Sequence, residues 1–174
     1  MKLAREALFR LEALGNHHNR EDFTWGVESL DSYLKIQASQ DMRRKASAVF
    51  VLVPHDDPSR IAGYFTLCAY GISPGGVPEA ARKHLPRYPM VSATLIGRVA
   101  ISKNAQGMGL GSILLAKALH KAYENASVVG SSMVVVDAID ERAVQFYQAH
   151  GFIKLPECMR LVLPMRTIAR LKPQ

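Results

Sequence analysis

A chain of 174 residues, 48% of them hydrophobic, is long enough to bury one proper core and cramped for two. A formal charge of +7 favours a polyanionic partner such as RNA, DNA, an acidic protein or a phosphate-bearing cofactor, although a basic surface without a partner also fits. Cys68 and Cys158 are the only cysteines, which argues against a disulfide framework or a thiolate zinc site and suits a reducing cytoplasm.

Arg5, Glu6, Arg10 and Glu12 interrupt the apolar positions of the amino-terminal stretch, which is unlike a secretory signal. No apolar run approaches membrane-spanning length, so a soluble protein with no membrane partner is expected. Residues 3–14 fit either a helix (Leu3, Ala7, Leu11, Leu14) or a strand (Phe9, Leu11, Ala13), and the reading taken is a short strand near 7–13. His17 and His18 fall in the polar loop 16–22. No nearby ligand set completes a metal site with them, so no metal is expected. Leu30, Leu34 and Ala38 share a helical face and predict a helix over 27–43, with Lys35, Arg43, Arg44 and Lys45 as a basic edge.

The apolar run 47–53 predicts a buried strand, and residues 60–70 its antiparallel hairpin partner. Residues 71–91 hold four prolines together with Arg82, Lys83, His84 and Arg87, and 80–84 suits a single helical turn. A connection this long is usually functional or disordered. A strand at 95–101 leads into Gln106-Gly107-Met108-Gly109-Leu110-Gly111, and a helix follows from Ser112 to about Asn125. The continuous apolar stretch 133–138 predicts a strand buried on both faces. Asp140 suits the cap of a helix through His150, closed by Gly151, before a last strand at 159–165 and a frayed basic tail at 166–174.

The glycines at 107, 109 and 111 allow a tight turn and close approach to a ligand, and the following helix aims its unpaired N–H groups into that turn. Such a cradle suits a phosphate or pyrophosphate. It is not a Walker loop, since no Gly-Lys-Ser/Thr follows, and the spacing is poor for a dinucleotide fingerprint. A plain helix-entry loop is the alternative. The element order implies a mixed α/β sheet with the turn joining a strand end to a helix start.

Gln106, Gly109 and Gly111 resemble the Gln/Arg-x-x-Gly-x-Gly/Ala loop that holds the acetyl-CoA pyrophosphate in the GNAT superfamily of N-acetyltransferases. Ala143-Val144-Gln145-Phe146-Tyr147-Gln148-Ala149-His150-Gly151-Phe152 is similar to that superfamily's last helix and its exit. The segment from Phe23 to Leu34 is similar to the F-x-C-G-x-x-x-L-D-x-y-L stretch of GNAT-type toxins, and Ile96-Gly97-Arg98-Val99-Ala100 to their L-G-R-L-A strand. The likeness covers roughly residues 9–165, with Trp25 standing where a cysteine is common; packing is the role expected there.

The resemblance implies a single GNAT domain over 1–174, with a mixed, mostly antiparallel sheet flanked by helices. It implies acetyl-CoA held by Val99, Ala100, Ile101, Gln106, Gly107, Met108, Gly109, Leu110, Gly111 and Ser112. It makes Tyr147 the proton donor to the CoA sulfur; a core tyrosine is the other reading of that position. The substrate implied is aminoacyl-tRNA, the partner a ribbon-helix-helix antitoxin, and the assembly a homodimer. Arg82, Lys83, Arg87, Arg98, Lys35, Arg43, Arg44 and Lys45 are the candidates for its phosphates. Residues 91–103 contain no Asp or Glu to act as a base. An α-amine, with a pKa near 7.7, needs less help than a lysine near 10.4, which mildly favours an α-amine. A GNAT enzyme for a protein N-terminus or small amine, and a non-catalytic antitoxin-binding module, are the alternatives.

Overall fold

The computed structural model describes residues 2–171. Its seven strands form one sheet in the order β1-β2-β3-β4-β5-β7-β6. They are β1 (Phe9–Ala13), β2 (Ala48–Pro54), β3 (Gly63–Ile72), β4 (Val91–Ile101), β5 (Met133–Asp137), β6 (Ile153–Lys154) and β7 (Arg160–Pro164). β1, β2 and β3 pair antiparallel in turn, as do β5, β7 and β6, whereas β4 and β5 run parallel. The expected mixed α/β sheet is therefore present. The chain divides into two compact units: residues 1–68 with 98–118, and residues 69–97 with 119–174.

In the first unit, β1 follows a short helix, α1 (Lys2–Glu6). The helix expected over 27–43 is α2 (Glu28–Ser32), a π-helical stretch at Tyr33–Gln37, and α3 (Ala38–Arg43). Its apolar face (Tyr33, Leu34 and Ala38) packs with Phe23, Val49, Val51, Tyr64 and Ala100 into one core. Gly63 is required by crowding: a Cβ there would come 2.9 Å from the Ala100 carbonyl oxygen and 2.7 Å from Ile101 Cδ1. Helix α5 (Leu110–Asn125) starts in this unit, buries Leu110, Ile113, Leu114, Leu115 and Ala118, and runs on into the second.

In the second unit, β5 reads Met-Val-Val-Val-Asp and buries its first four residues, as a strand paired on both edges should. The segment 73–90 is tied down: Val77, Ala81 and Leu85 pack with Ile72, Val91, Met133 and Val162. Within it lies the expected helical turn, α4 (Glu79–Arg82). The tail differs from its expectation. Residues Met165–Leu171 form helix α7, held by the buried Met165 and Ile168, and 172–174 lie outside the described residues. Two apolar residues at helical spacing were enough to dock it.

Candidate active site

The glycine turn sits between a 3-10 turn (Lys103–Ala105) and α5. Gly107 and Gly109 have φ values of +81° and +72°, the region that Cβ-bearing residues avoid. Nothing lies within 4 Å of a Cβ built on Gly107, so that glycine serves conformation and not crowding. Gly111 is different: it lies in α5, among residues whose backbone is helical. Two glycines make the turn, and the third leaves the first turn of the helix bare. Arg5 Nη1 donates to the Met108 carbonyl at 2.9 Å and lashes the turn to α1. Neither motif nor spacing marked Arg5, since the contact spans 103 residues of sequence.

The cradle fits a pyrophosphate by the chemistry of its donors. The first N–H groups of a 16-residue helix have no intrahelical acceptor, and the helix dipole favours an anion at that end. Leading into it, β4 ends in Val99, Ala100 and Ile101, and the Gln106 side chain returns to the Ile101 carbonyl at 3.5 Å. The parallel ladder of β4 with β5 ends at Ile96↔Val136.

Tyr147 belongs to the second unit, on α6 (Glu141–Ala149). Asp140 caps that helix, accepting from the Ala143 N–H at 2.8 Å. The exit is a Schellman motif: Phe152 N–H reaches the Tyr147 carbonyl at 3.1 Å, Gly151 N–H the Gln148 carbonyl at 3.0 Å, and Gly151 has φ +91°. Ring contact between Tyr147 and Phe152, 5.4 Å between centroids, completes the motif. Tyr147 is 8% exposed, and burial pushes its phenol up to about 12. Among the described residues its hydroxyl has no hydrogen-bond partner. The core reading and the chemical reading therefore describe different atoms of one residue: the ring packs, and the hydroxyl stays available.

The eight basic candidates separate once their neighbours are visible. Arg82 is held by Glu79 through Nε at 3.2 Å and Nη2 at 2.7 Å. Lys83 and Arg87 are exposed in the second unit, and α7 brings Arg166 and Arg170 close enough to help push down the His84 pKa, whose main cause is burial. Both arginines lie on an ordered helix and not in a frayed tail. In the first unit Arg43, Arg44 and Lys45 are exposed, and Lys45 takes φ +58° where α3 ends. Lys35 lines an open hollow of about 360 Å³ with Asn16, Asn19, Arg20 and Ser39. Arg20 is fixed there, 2.6 Å from Ser39 Oγ and 3.5 Å from the Leu34 carbonyl. Arg98 is half-buried, with its guanidinium carbon 3.5 Å above the Tyr33 ring centroid.

The paired histidines need a correction. Glu12 joins them, and one ligand atom from each of Glu12, His17 and His18 lies within 4.8 Å of the others. Glu12 belongs to β1 and not to the polar loop, and the turn after the strand folds both histidines back onto it. The geometry is that of a hydrogen-bond cluster. His18 Nδ1 accepts from the Gly15 N–H at 2.9 Å, which leaves the proton on Nε2, facing Glu12 Oε1 at 3.1 Å. A ring nitrogen carrying that proton is not a metal ligand. The Arg10 guanidinium, and then the two histidines, bring the Glu12 carboxyl down to about 2. Trp25 packs against the first unit's core, and its indole Nε1 is buried without a hydrogen-bond partner among the described residues.

Residues 11–152 match the acetyltransferase (GNAT) family. The chain is 27% identical to the "Probable toxin TacT" of Sinorhizobium fredii, over 90% of each chain. It is 29% identical to the "tRNA-acetylating toxin" of Mycobacterium tuberculosis, over 83% of this chain and 84% of that one. Among solved structures it resembles AtaT complexed with acetyl-methionyl-tRNAfMet, with TM-score 0.85 and 27% identity over 94% of this chain and 98% of that one. It also resembles a mutant AtaT toxin bound to the C-terminus of the antitoxin AtaR, with TM-score 0.81 and 26% identity over 96% of this chain and 99% of that one.

Proposed function

The chain belongs to the acetyltransferase (GNAT) family and is an N-acetyltransferase using acetyl-CoA; on that premise we propose that it is the toxin of a toxin–antitoxin pair, acetylating the α-amine of aminoacyl-tRNA. Similarity along nearly the whole length to AtaT complexed with acetyl-methionyl-tRNAfMet carries this reading. In it, residues 1–174 work as one domain in the cytoplasm, as a homodimer, and a ribbon-helix-helix antitoxin restrains them. No helix among the described residues is long and apolar enough to cross a membrane.

The cofactor supplies an acetyl group on a thioester. The chain's residues hold and order it: the glycine turn and the start of α5 take the pyrophosphate, and the backbone N–H groups of Val99 and Ile101 polarise the acetyl carbonyl. The amine nitrogen forms the new C–N bond as the C–S bond breaks. Tyr147 gives its proton to the departing sulfur, and the proton shed by the nitrogen restores the phenol. Burial keeps Tyr147 protonated throughout the neutral range, so the donor is always loaded. With no carboxylate in residues 91–103, an α-amine, which is partly neutral at pH 7, suits the site better than a lysine.

The test uses purified protein, labelled acetyl-CoA and a pool of charged tRNAs. Label on one or a few tRNAs, lost in Tyr147→Phe, is the expected result. Label on no tRNA, from protein that still binds acetyl-CoA, moves the acceptor to a protein N-terminus or a small amine. Neutralisation by antitoxin with no acetylation at all leaves a non-catalytic regulatory module.

A further inference from the structure

Arg98 is set apart by burial without a partner: of the half-buried arginines among the described residues, Arg5, Arg20 and Arg160 each donate to an acceptor and Arg98 does not. Arg10, Arg82 and Arg160 each lie against a carboxylate, at 2.6, 2.7 and 2.7 Å. Among the described residues, none offers Arg98 a hydrogen bond or an ion pair. Its guanidinium is half-buried and lies flat on Tyr33, 3.5 Å from the ring centroid to its central carbon. Five N–H donors so placed have exchanged part of their hydration for an aromatic face. That leaves an ion pair short of its anion.

The platform under Arg98 is built with more order than packing needs. The Tyr33 hydroxyl donates to Asp41 Oδ2 at 2.9 Å, and Gln37 Nε2 donates to the other Asp41 oxygen at 3.0 Å. Tyr64 stacks on Tyr33 at 6.4 Å with the planes 16° apart, and its own hydroxyl donates to the Leu30 carbonyl at 2.7 Å. Asp41 is near enough for Arg98 to help lower its pKa, yet its oxygens are already engaged by Tyr33 and Gln37. The carboxylate thus orients the ring beneath the guanidinium without closing the pair. A planar fork with free donors matches a phosphate, which accepts from it bidentately.

We propose that Arg98 grips one backbone phosphate of the acceptor nucleic acid, and that Tyr33, held by Asp41, is the residue that positions it. Arg98 immediately precedes Val99 in β4, so this phosphate lies close to the acetyl carbonyl that the Val99 N–H polarises in the proposed reaction. The inference rests on the aminoacyl-tRNA reading above and names the group by which that substrate is held. Of the eight basic candidates, Arg98 alone is both half-buried on an aromatic platform and without a protein acceptor. The exposed lysines and arginines add long-range attraction, whereas Arg98 fixes register.

The salt dependence of tRNA binding tests this, measured on the whole protein with purified tRNA and without acetyl-CoA. Each phosphate contact to a single strand contributes about 0.7 to the slope of log affinity against log salt. Arg98→Gln is expected to weaken binding roughly 10-fold and to lower that slope by about 0.7. Arg98→Lys keeps the charge and loses the fork, so its slope stays native while its affinity falls. Tyr33→Leu, which removes the platform, weakens binding in the direction of Arg98→Gln, and Tyr33→Phe, which keeps the ring, weakens it less. A native slope in Arg98→Gln overturns the proposal, as does a slope lost equally in Arg98→Lys. If native protein binds no tRNA, the aminoacyl-tRNA reading itself falls, an outcome separate from a native protein that binds and an Arg98→Gln variant that binds with the same slope.

Discussion

Tyr33 in the first unit and Tyr147 in the second share residue type, a helical setting and near-complete burial. Burial is the first cause that raises the phenol pKa of each. They differ in what became of the hydroxyl. Tyr33 has committed its proton to Asp41 and its ring face to Arg98. The Tyr147 ring packs against Phe146 at 5.3 Å and Phe152 at 5.4 Å, and its hydroxyl has no partner among the described residues. Burial alone does not separate scaffold from chemistry. The fate of the polar atom does, because the Tyr33 proton is directed at Asp41 whereas the Tyr147 hydroxyl is not aimed at any partner among the described residues.

The largest effect expected from this contrast is at Tyr147. In the proposed reaction, Tyr147→Phe lowers kcat by about 10²–10⁴-fold, the usual worth of a positioned proton donor. The melting temperature should hardly move, since the ring and its Schellman contact remain and no hydrogen bond is lost. The pH profile sharpens the point. Activity should rise as the acceptor amine loses its proton near pH 7.7, then stay level. Burial favours the neutral phenol, so the donor is lost only as pH nears about 12, above the ordinary tyrosine value of 10. A falling limb centred near pH 10 would show that burial does not raise the phenol in the working enzyme.

What the sequence made legible follows the range of the interactions. The glycine turn, the Asp140 cap, the Gly151 exit and the continuous apolar strand at β5 are each encoded within about ten residues, and each is found where expected. Contacts across long separations were not legible. Arg5 meets Met108 across 103 residues, and Tyr64 meets Leu30 across 34. The π-helical stretch has no such local signal, because apolar spacing of 3.6 residues predicts one unbroken helix over 27–43. The basic candidates were found by charge, and charge does not say which cation is already paired. That distinction is set by the fold.

A smaller effect separates the glycines. Gly109→Ala forces a Cβ into φ +72°, at roughly 1–2 kcal/mol, and should weaken acetyl-CoA binding about 10-fold, read by calorimetry. Gly111→Ala lies inside α5, where alanine is the better helix former by up to about 1 kcal/mol. It should raise the melting temperature while still weakening acetyl-CoA binding, if the bare first turn is what admits the pyrophosphate. Equal destabilisation by the two changes would erase the distinction between turn and helix.

Below that comes Tyr33→Phe, which keeps the ring and removes the bond to Asp41, for about 1 kcal/mol of stability at pH 7. Its pH dependence has a definite sign. Gln37 first, and then Tyr33, hold the Asp41 carboxyl below its ordinary value, so the stability it contributes is present above that value and is lost as pH falls through the depressed one. With Tyr33→Phe the carboxyl moves back up, and the gap between native and variant should narrow on acidification. A gap in urea midpoint that is the same at pH 7 and pH 3 would mean that the hydroxyl contributes packing and no more.

The smallest effect tests whether the contrast between the tyrosines extends to the basic residues. Arg82 and Arg98 carry the same charge, and sequence alone ranks them together. Arg82 is exposed and held by Glu79 three residues earlier, an arrangement that water screens and that adds little to its short helix. Glu79 cancels much of its field for any approaching phosphate. Arg82→Ala should therefore change tRNA affinity less than about two-fold and leave the salt slope native, unlike Arg98→Gln. Glu79→Gln is the sharper companion, because it releases the guanidinium without removing it. If partnering is what silences Arg82, Glu79→Gln should tighten tRNA binding, and Glu79→Gln combined with Arg82→Ala should give the gain back. If Arg82→Ala alone weakens binding as much as Arg98→Gln does, position on the surface matters more than the partner, and the rule drawn from the two tyrosines does not carry over to cations.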